Sequence, residues 1–178
     1  MAEKMNIPLM KVYVDEEIKK AVLEVLDSGW YILHEKTREF ERKFAEFCGV
    51  KNAVCVSSGT AAIFLSLLAL DIKQGDEVIV PSFSFISTAT PIIEVGAKPV
   101  FVDIELGTCT VDPEKIREAV TKRTKAIMPV HLYGHPADME PILEIAEEND
   151  IYVIEDACQA HGAEYKGRRV GGIGHVAC

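Results

Sequence analysis

Ala126-Ile127-Met128-Pro129-Val130, then Asp138-Met139-Glu140-Pro141-Ile142-Leu143-Glu144-Ile145-Ala146, then Ile151-Tyr152-Val153-Ile154: this passage, residues 126–154, decides the fold. The outer two runs are short and apolar, as strands covered on both faces are. The middle run sets Met139, Ile142, Leu143 and Ala146 at helical spacing behind Asp138, a residue type that caps helix starts. Strand, helix and strand of this length make a β-α-β unit, whose strands run parallel.

Outward from that unit the alternation continues. Ala53–Val56, Glu77–Val80 and Pro99–Val102 are further β-branched runs, each followed by a helix-compatible segment. The prediction is an α/β fold, a three-layer α/β/α arrangement around a mainly parallel sheet. Thr60–Leu70 is apolar almost all the way round, which predicts a central, buried helix. Pro91 is expected to kink or end the helix that follows Phe85. Upstream, Ile18, Ala21, Val22, Val25 and Leu26 form one face of a helix behind Asp15, and Phe40, Phe44 and Phe47 one face of a second. Both are expected beside the sheet, inside the same domain, joined by the aromatic loop Gly29-Trp30-Tyr31-Ile32-Leu33.

Composition narrows the function classes. With 178 residues, 48% of them hydrophobic, the chain can fill one core. Its 28 acidic against 19 basic residues, net −9, oppose a nucleic-acid partner. Glu3, Lys4, Asp15, Glu16 and Glu17 break up the first thirty residues, which therefore lack the apolar centre of a secretory signal. The longest apolar run, Ala61–Leu70, is well short of the roughly 20 residues that cross a bilayer. No membrane partner and a cytoplasmic location are expected. Cys48, Cys55, Cys109, Cys158 and Cys178 are odd in number, widely spaced and without a C-x-x-C pair, so they are read as reduced and mostly buried rather than as disulfides or a zinc site.

Parallel sheets bind ligands at the carboxyl ends of their strands, so the residues just after each apolar run carry the chemistry. Ser57-Ser58-Gly59-Thr60-Ala61 leads a strand into a helix with small residues. It reads either as a phosphate cup of open N–H groups or as an ordinary helix cap. In Pro81-Ser82-Phe83-Ser84-Phe85 either ring serves to stack on a flat heterocycle or simply to fill core. In Glu155-Asp156-Ala157-Cys158-Gln159-Ala160-His161 two carboxylates close an apolar strand, which is costly unless a cation meets them. A protonated pyridine nitrogen is one such cation; the other reading has Asp156 capping the next turn. Gln159 can present an amide to the same ligand. His131 and His135 stand four apart, but Gly134 and Pro136 spoil helical spacing and no carboxylate cluster joins them, so no metal is expected. His131 is placed near the pocket and His135 on a turn.

In order and spacing these motifs, together with Gly162-Ala163 and Tyr165-Lys166-Gly167-Arg168 leading to Val170-Gly171, resemble the DegT/DnrJ/EryC1/StrS family of pyridoxal-phosphate (PLP) aminotransferases. The resemblance runs from about Pro8 to Cys178. It implies the large domain of the fold type I, aspartate-aminotransferase-like enzymes, with residues 1–178 forming the N-terminal part of that domain and its remaining strands and the small C-terminal domain lying outside the chain. It implies pyridoxal 5'-phosphate as cofactor. Gly59, Thr60 and Ala61 would then hold the phosphate, Phe85 would stack on the ring, and Asp156 would pair with the ring nitrogen. Gln159 would approach the ring hydroxyl, with His161 lining the same pocket. Trp30 and Tyr31 resemble the family's substrate-entrance loop, and His34 departs from the usual glycine there. The implied reaction passes an amino group from an amino acid donor to a nucleotide-linked keto-sugar, in a homodimer. No catalytic residue is expected within the chain, because the family's Schiff-base lysine falls beyond Cys178. Two alternatives stay open: a sugar dehydratase of the same family, and a non-catalytic PLP-binding fragment.

Overall fold

A computed structural model describes residues 11–178. The chain divides into two compact units, with the boundary after Phe40. The first contains helix α1 (Glu16–Ser28) and the start of α2 (Glu35–Cys48). Asp15 caps α1 as expected, its carboxylate accepting the Ile18 N–H at 2.9 Å, and Gly29 closes the helix in the left-handed conformation at φ 70°. No residue of α1 is buried. Its apolar face, including Ile18, Val22 and Leu26, is exposed.

The second unit holds the sheet. In chain order it contains α3 (Gly59–Ala69), β1 (Glu77–Pro81), α4 (Thr90–Glu94), β2 (Lys98–Val102), α5 (Pro113–Ala119), β3 (Thr124–Ile127), α6 (Met139–Asn149) and β4 (Tyr152–Glu155). The two-residue strands β5 (Glu164–Tyr165), β6 (Arg168–Arg169) and β7 (Val176–Ala177) follow. Among the described residues five strands form one parallel sheet, ordered β2-β1-β3-β4-β7. Successive side chains of a strand point to opposite faces, and here both faces are apolar. Val78, Val80, Ala126, Met128 and Ile154 pack with Ile63, Leu67 and Ile92 of α3 and α4. Ile79, Ile127 and Val153 pack with Ile116, Ile142 and Ile145 of α5 and α6 on the other side. This is the three-layer arrangement that the continuous apolar runs predict, and each fully buried Ile or Leu contributes roughly 1.5–3 kcal/mol.

Four local expectations come out differently. Ala53–Val56 forms no strand; Val54 is exposed, and the Cys55 N–H is held by the Glu41 carboxylate at 2.8 Å instead of a neighbouring strand. A β-branched run becomes a strand only where a sheet edge accepts it. Helix α3 buries Ile63, Ser66 and Leu67 but leaves Leu65 and Leu68 half exposed, because a sheet covers only one side of a helix. Pro91 neither kinks nor ends a helix. A 3-10 turn over Ile86–Thr88 gives way to α4, and Pro91 sits in the first turn of that new helix, where its missing N–H and fixed φ cost nothing. The cysteines are half-buried or, for Cys158, exposed, and all five are free thiols.

Long-range contacts complete the frame. Asp138 occupies the cap position of α6, yet its carboxylate accepts the Tyr165 hydroxyl, and that hydroxyl in turn accepts the Glu140 N–H at 3.3 Å. Tyr165 belongs to the β5–β6 hairpin, whose turn residues Lys166 and Gly167 have φ 50° and 79°, as a tight twisted hairpin requires. No helix among the described residues is long and apolar enough to cross a membrane.

Candidate active site

Three carboxylates are buried among the described residues, and they are neutralised very differently. Glu77, at the start of β1, meets Arg123 at 2.6 Å and Lys98 at 3.6 Å and accepts the Thr121 hydroxyl at 2.6 Å. The Thr121 and Arg123 hydrogen bonds hold it below the ordinary carboxylate range. Glu155, the last residue of β4, is fully buried; it faces His131 Nε2 at 3.0 Å and accepts N–H groups from Gly171, Ile173 and Gly174 at 2.7–2.8 Å. His131 Nδ1 accepts the Ala137 N–H at 3.1 Å, which places the ring proton on Nε2, where it is donated to Glu155. Burial raises the Glu155 pKa, but these donors outweigh it and leave the group below its usual range.

Asp156 has no such company. It is 6% exposed, and its Oδ2 accepts the Thr88 hydroxyl at 2.8 Å while Oδ1 receives only a long bond, 3.4 Å, from the Cys158 N–H. No cationic side chain pairs with it among the described residues. Its backbone is pinned on both sides, the N–H to Pro129 O at 2.9 Å and the carbonyl to His131 N–H at 3.0 Å. This carboxylate therefore stands fixed at the carboxyl end of the sheet with its charge uncompensated.

A cleft of about 260 Å³ opens over it, lined by Gly59, Thr60, Ile63, Phe85, Ser87, Thr88, Asp156, Cys158 and Gln159. A larger recess, about 500 Å³, lies elsewhere against Tyr152, Asp150 and His175. Tyr152 begins β4, so that recess is at the amino end of the sheet, away from where parallel sheets place their ligands. The smaller cleft is the chemically equipped one.

Its rim is the start of α3. Ser58 caps that helix, accepting the Ala61 N–H at 3.1 Å, so the cap reading and the cup reading both hold in part. The Ala61 N–H is thus engaged by the cap. The Gly59 and Thr60 N–H groups have no acceptor among the described residues, and the helix dipole adds its positive end there. Thr60 is tied to the facing turn through its hydroxyl, which reaches Ser87 Oγ at 2.9 Å. Phe85 is 65% exposed, so its ring is not core. The Gln159 side-chain oxygen accepts the Tyr133 N–H at 3.0 Å, which leaves the amide NH2 as its free end.

Glycine is required at position 59 by contact rather than by backbone angle. A Cβ there would lie 2.5 Å from Cys158 Sγ. Although the residue is exposed, partial desolvation of its thiol beside the helix start, together with the Asp156 charge, pushes the Cys158 pKa up to about 12, so it stays protonated at neutral pH. Gly59→Ala is expected to displace Cys158 and weaken anion binding at the helix start about tenfold. Adding Cys158→Ala should restore most of the loss. Titration of both variants with inorganic phosphate or PLP checks this; equal affinity of Gly59→Ala and the unsubstituted protein would contradict it.

His131, His135 and His161 are not among the residues that line the cleft. His161 is exposed and lines a separate cavity of about 60 Å³ with Phe44, Cys48 and Cys178, its ring edge-on to Phe44 at 6.1 Å. The turns after β4, closed by Ala160 N–H to Ala157 and Ala163 N–H to Ala160, carry it there. His131 is buried and belongs to Glu155, and His135 is exposed after a 3-10 turn. Trp30 and Tyr31 belong to the first unit: Trp30 stacks on His34 at 4.7 Å, and the Tyr31 hydroxyl donates to Leu26 O at 2.9 Å. No group of three or more His, Cys, Asp or Glu side chains is placed to hold a metal ion among the described residues. Thr88 and the Glu155–His131 pair were missed by sequence reasoning. The only available signal was the doubled acid Glu155-Asp156.

The DegT/DnrJ/EryC1/StrS aminotransferase family profile matches residues 12–178. A dTDP-3-amino-3,6-dideoxy-alpha-D-galactopyranose transaminase of Aneurinibacillus thermoaerophilus is 51% identical over 162 residues, 91% of this chain and 45% of that protein. The aminotransferase structure from Psychrobacter cryohalolentis aligns at a TM-score of 0.89 with 43% identity, over 93% of this chain and 42% of that one. An E. coli GDP-4-keto-6-deoxy-D-mannose-3-dehydratase with bound hydrated PLP aligns at 0.90 with 38% identity, over 97% of this chain and 46% of that one. The chain thus spans somewhat less than half the length of the relatives it matches.

Proposed function

We propose that this chain, which belongs to the DegT/DnrJ/EryC1/StrS aminotransferase family, holds pyridoxal 5'-phosphate in the cleft over Asp156 as the N-terminal part of a fold type I large domain. The complete protein then transfers an amino group from an amino acid donor to a nucleotide-linked keto-sugar. The observation that carries this reading is the buried, uncompensated carboxylate of Asp156 at the floor of a cleft whose rim offers free N–H groups. A cationic ring nitrogen is the partner that such a carboxylate lacks, and a phosphate is the partner those N–H groups lack.

When bound, the cofactor supplies an electron sink that lets a C–H bond beside the transferred nitrogen ionise. The residues of this chain position it. Gly59 and Thr60 donate their N–H groups to the phosphate. Phe85 covers one face of the ring, and Asp156 accepts the ring N–H and keeps that proton in place. The free NH2 of Gln159, fixed through its oxygen by Tyr133, donates to the ring oxygen. The working form is a cytoplasmic homodimer.

The test is the complete protein with PLP, L-glutamate and a panel of dTDP- and GDP-linked keto-sugars. Amino-sugar formation matched by 2-oxoglutarate is the expected outcome. Loss of a sugar hydroxyl without nitrogen transfer would replace this reading with that of a dehydratase, as in the similar E. coli enzyme. Failure to bind PLP at all would overturn both.

A further inference from the structure

The turn between β1 and α4 contains more chemistry than the stacking of Phe85. Thr88 is 2% exposed and its hydroxyl lies 2.8 Å from Asp156 Oδ2. The same hydroxyl lies 2.8 Å from Ser84 Oγ. A hydroxyl has one proton and an ionised carboxylate has none, so the proton of Thr88 goes to Asp156 and Ser84 must donate to Thr88. The hydrogen bonds run one way: Ser84 to Thr88 to Asp156. Ser87, on the same turn, meets the Thr60 hydroxyl at the start of α3. A single 3-10 turn is thus fastened to both ends of the cleft.

We infer that Thr88, aligned by Ser84, is a positioning residue that fixes which way the Asp156 carboxylate faces, and that it acts on the ring nitrogen only through Asp156. The inference rests on the cofactor reading above. The geometry makes it specific. The Cys158 N–H, at 3.4 Å, is too long a bond to orient the carboxylate alone, and no cation among the described residues does so. Thr88 is therefore the one strong donor to Asp156 among the described residues. Its bond engages Oδ2 and leaves Oδ1 with little beyond the weak Cys158 contact, which makes Oδ1 the oxygen most open to a further donor.

Valine has the shape of threonine without the hydroxyl, and serine has the hydroxyl without the methyl group. This pair separates orientation from packing. In the complete protein with PLP as the probe, Thr88→Val should weaken PLP binding about tenfold to a hundredfold, the scale of one lost hydrogen bond to a charged group. The pH at which the absorbance of the bound cofactor changes should also move down, since a misaligned carboxylate holds the ring proton less well. Thr88→Ser should stay within about threefold of the unsubstituted protein on both readouts. Ser84→Ala should weaken binding several-fold in the same direction. Unchanged affinity and pH midpoint in Thr88→Val would overturn the inference, and so would equal impairment of the Val and Ser variants, which would assign the effect to the methyl group. Should Thr88→Val not fold, Ser84→Ala decides: a several-fold loss supports the relay and no change overturns it. Absence of PLP binding by the unsubstituted protein is a distinct result, since it overturns the cofactor reading first and this one with it.

Discussion

Asp156→Asn is expected to lower kcat/KM for amino transfer on the order of 10³-fold, the scale of losing one preorganised electrostatic partner, while making the cofactor-free protein more stable. The two effects share a cause. The side chain is 6% exposed and has only the Thr88 hydroxyl and a long Cys158 N–H around it. Holding an uncompensated charge there costs stability, and the neutral amide removes that cost while keeping an oxygen for Thr88. The cofactor-free variant should therefore melt above the unsubstituted protein. With cofactor present the order reverses, because the amide no longer balances a protonated ring nitrogen. Thermal unfolding of both forms with and without PLP, alongside steady-state kinetics, checks this. A variant that is less stable without cofactor, or that keeps its activity, would show that the charge of Asp156 is compensated or unused.

The neighbouring acid should behave in the opposite way. Glu155→Ala is expected to destabilise the protein by several kcal/mol, since each buried donor left without an acceptor costs about 1–3 kcal/mol. Three N–H groups, from Gly171, Ile173 and Gly174, would lose their acceptor at once, along with His131 Nε2. That loop has little room to rearrange: a Cβ on Gly172 would meet Cys48 O at 2.7 Å, and one on Gly174 would meet Val153 O at 2.9 Å. It leads directly into β7, so the outer strand should loosen with it. The pH dependence follows from the depressed pKa of Glu155. Between the unfolded and folded values the unfolded chain binds the extra proton, so stability rises with pH across that interval. The contribution is complete above the ordinary glutamate value of about 4.3 and is lost as pH falls through the lower folded value. Urea melts at neutral and acid pH should show this component in the unsubstituted protein and not in Glu155→Ala. Identical slopes in the two would contradict it.

The contrast between two adjacent acids explains what was legible in the sequence. Glu155-Asp156 at the end of Ile151–Ile154 marks the carboxyl end of a buried strand, and that alone places a polar site there. Which acid belongs to the frame and which to the cleft is not written locally, because adjacent residues on a strand point to opposite faces and their partners come from elsewhere. Those of Glu155 lie 16–24 residues away and the Thr88 hydroxyl lies 68 away. The same separation explains why His131 serves Glu155 and why His161 lines a different cavity.

By itself the sequence determined the backbone grammar. Continuous apolar runs at 77–80 and 151–154 dictate doubly covered parallel strands, Asp15 and Asp138 mark helix starts, and Gly59-Thr60 opens a helix. Each of these is set by a short-range preference of pattern or dihedral angle. Only the tertiary structure decided that Ala53–Val56 stays unpaired, that α3 buries one face, that Pro91 begins a helix, and that Ser84, Thr88 and Asp156 form one line of hydrogen bonds. Those outcomes depend on which segments the sheet order brings together, and a buried polar group acquires its role from the partner it meets there.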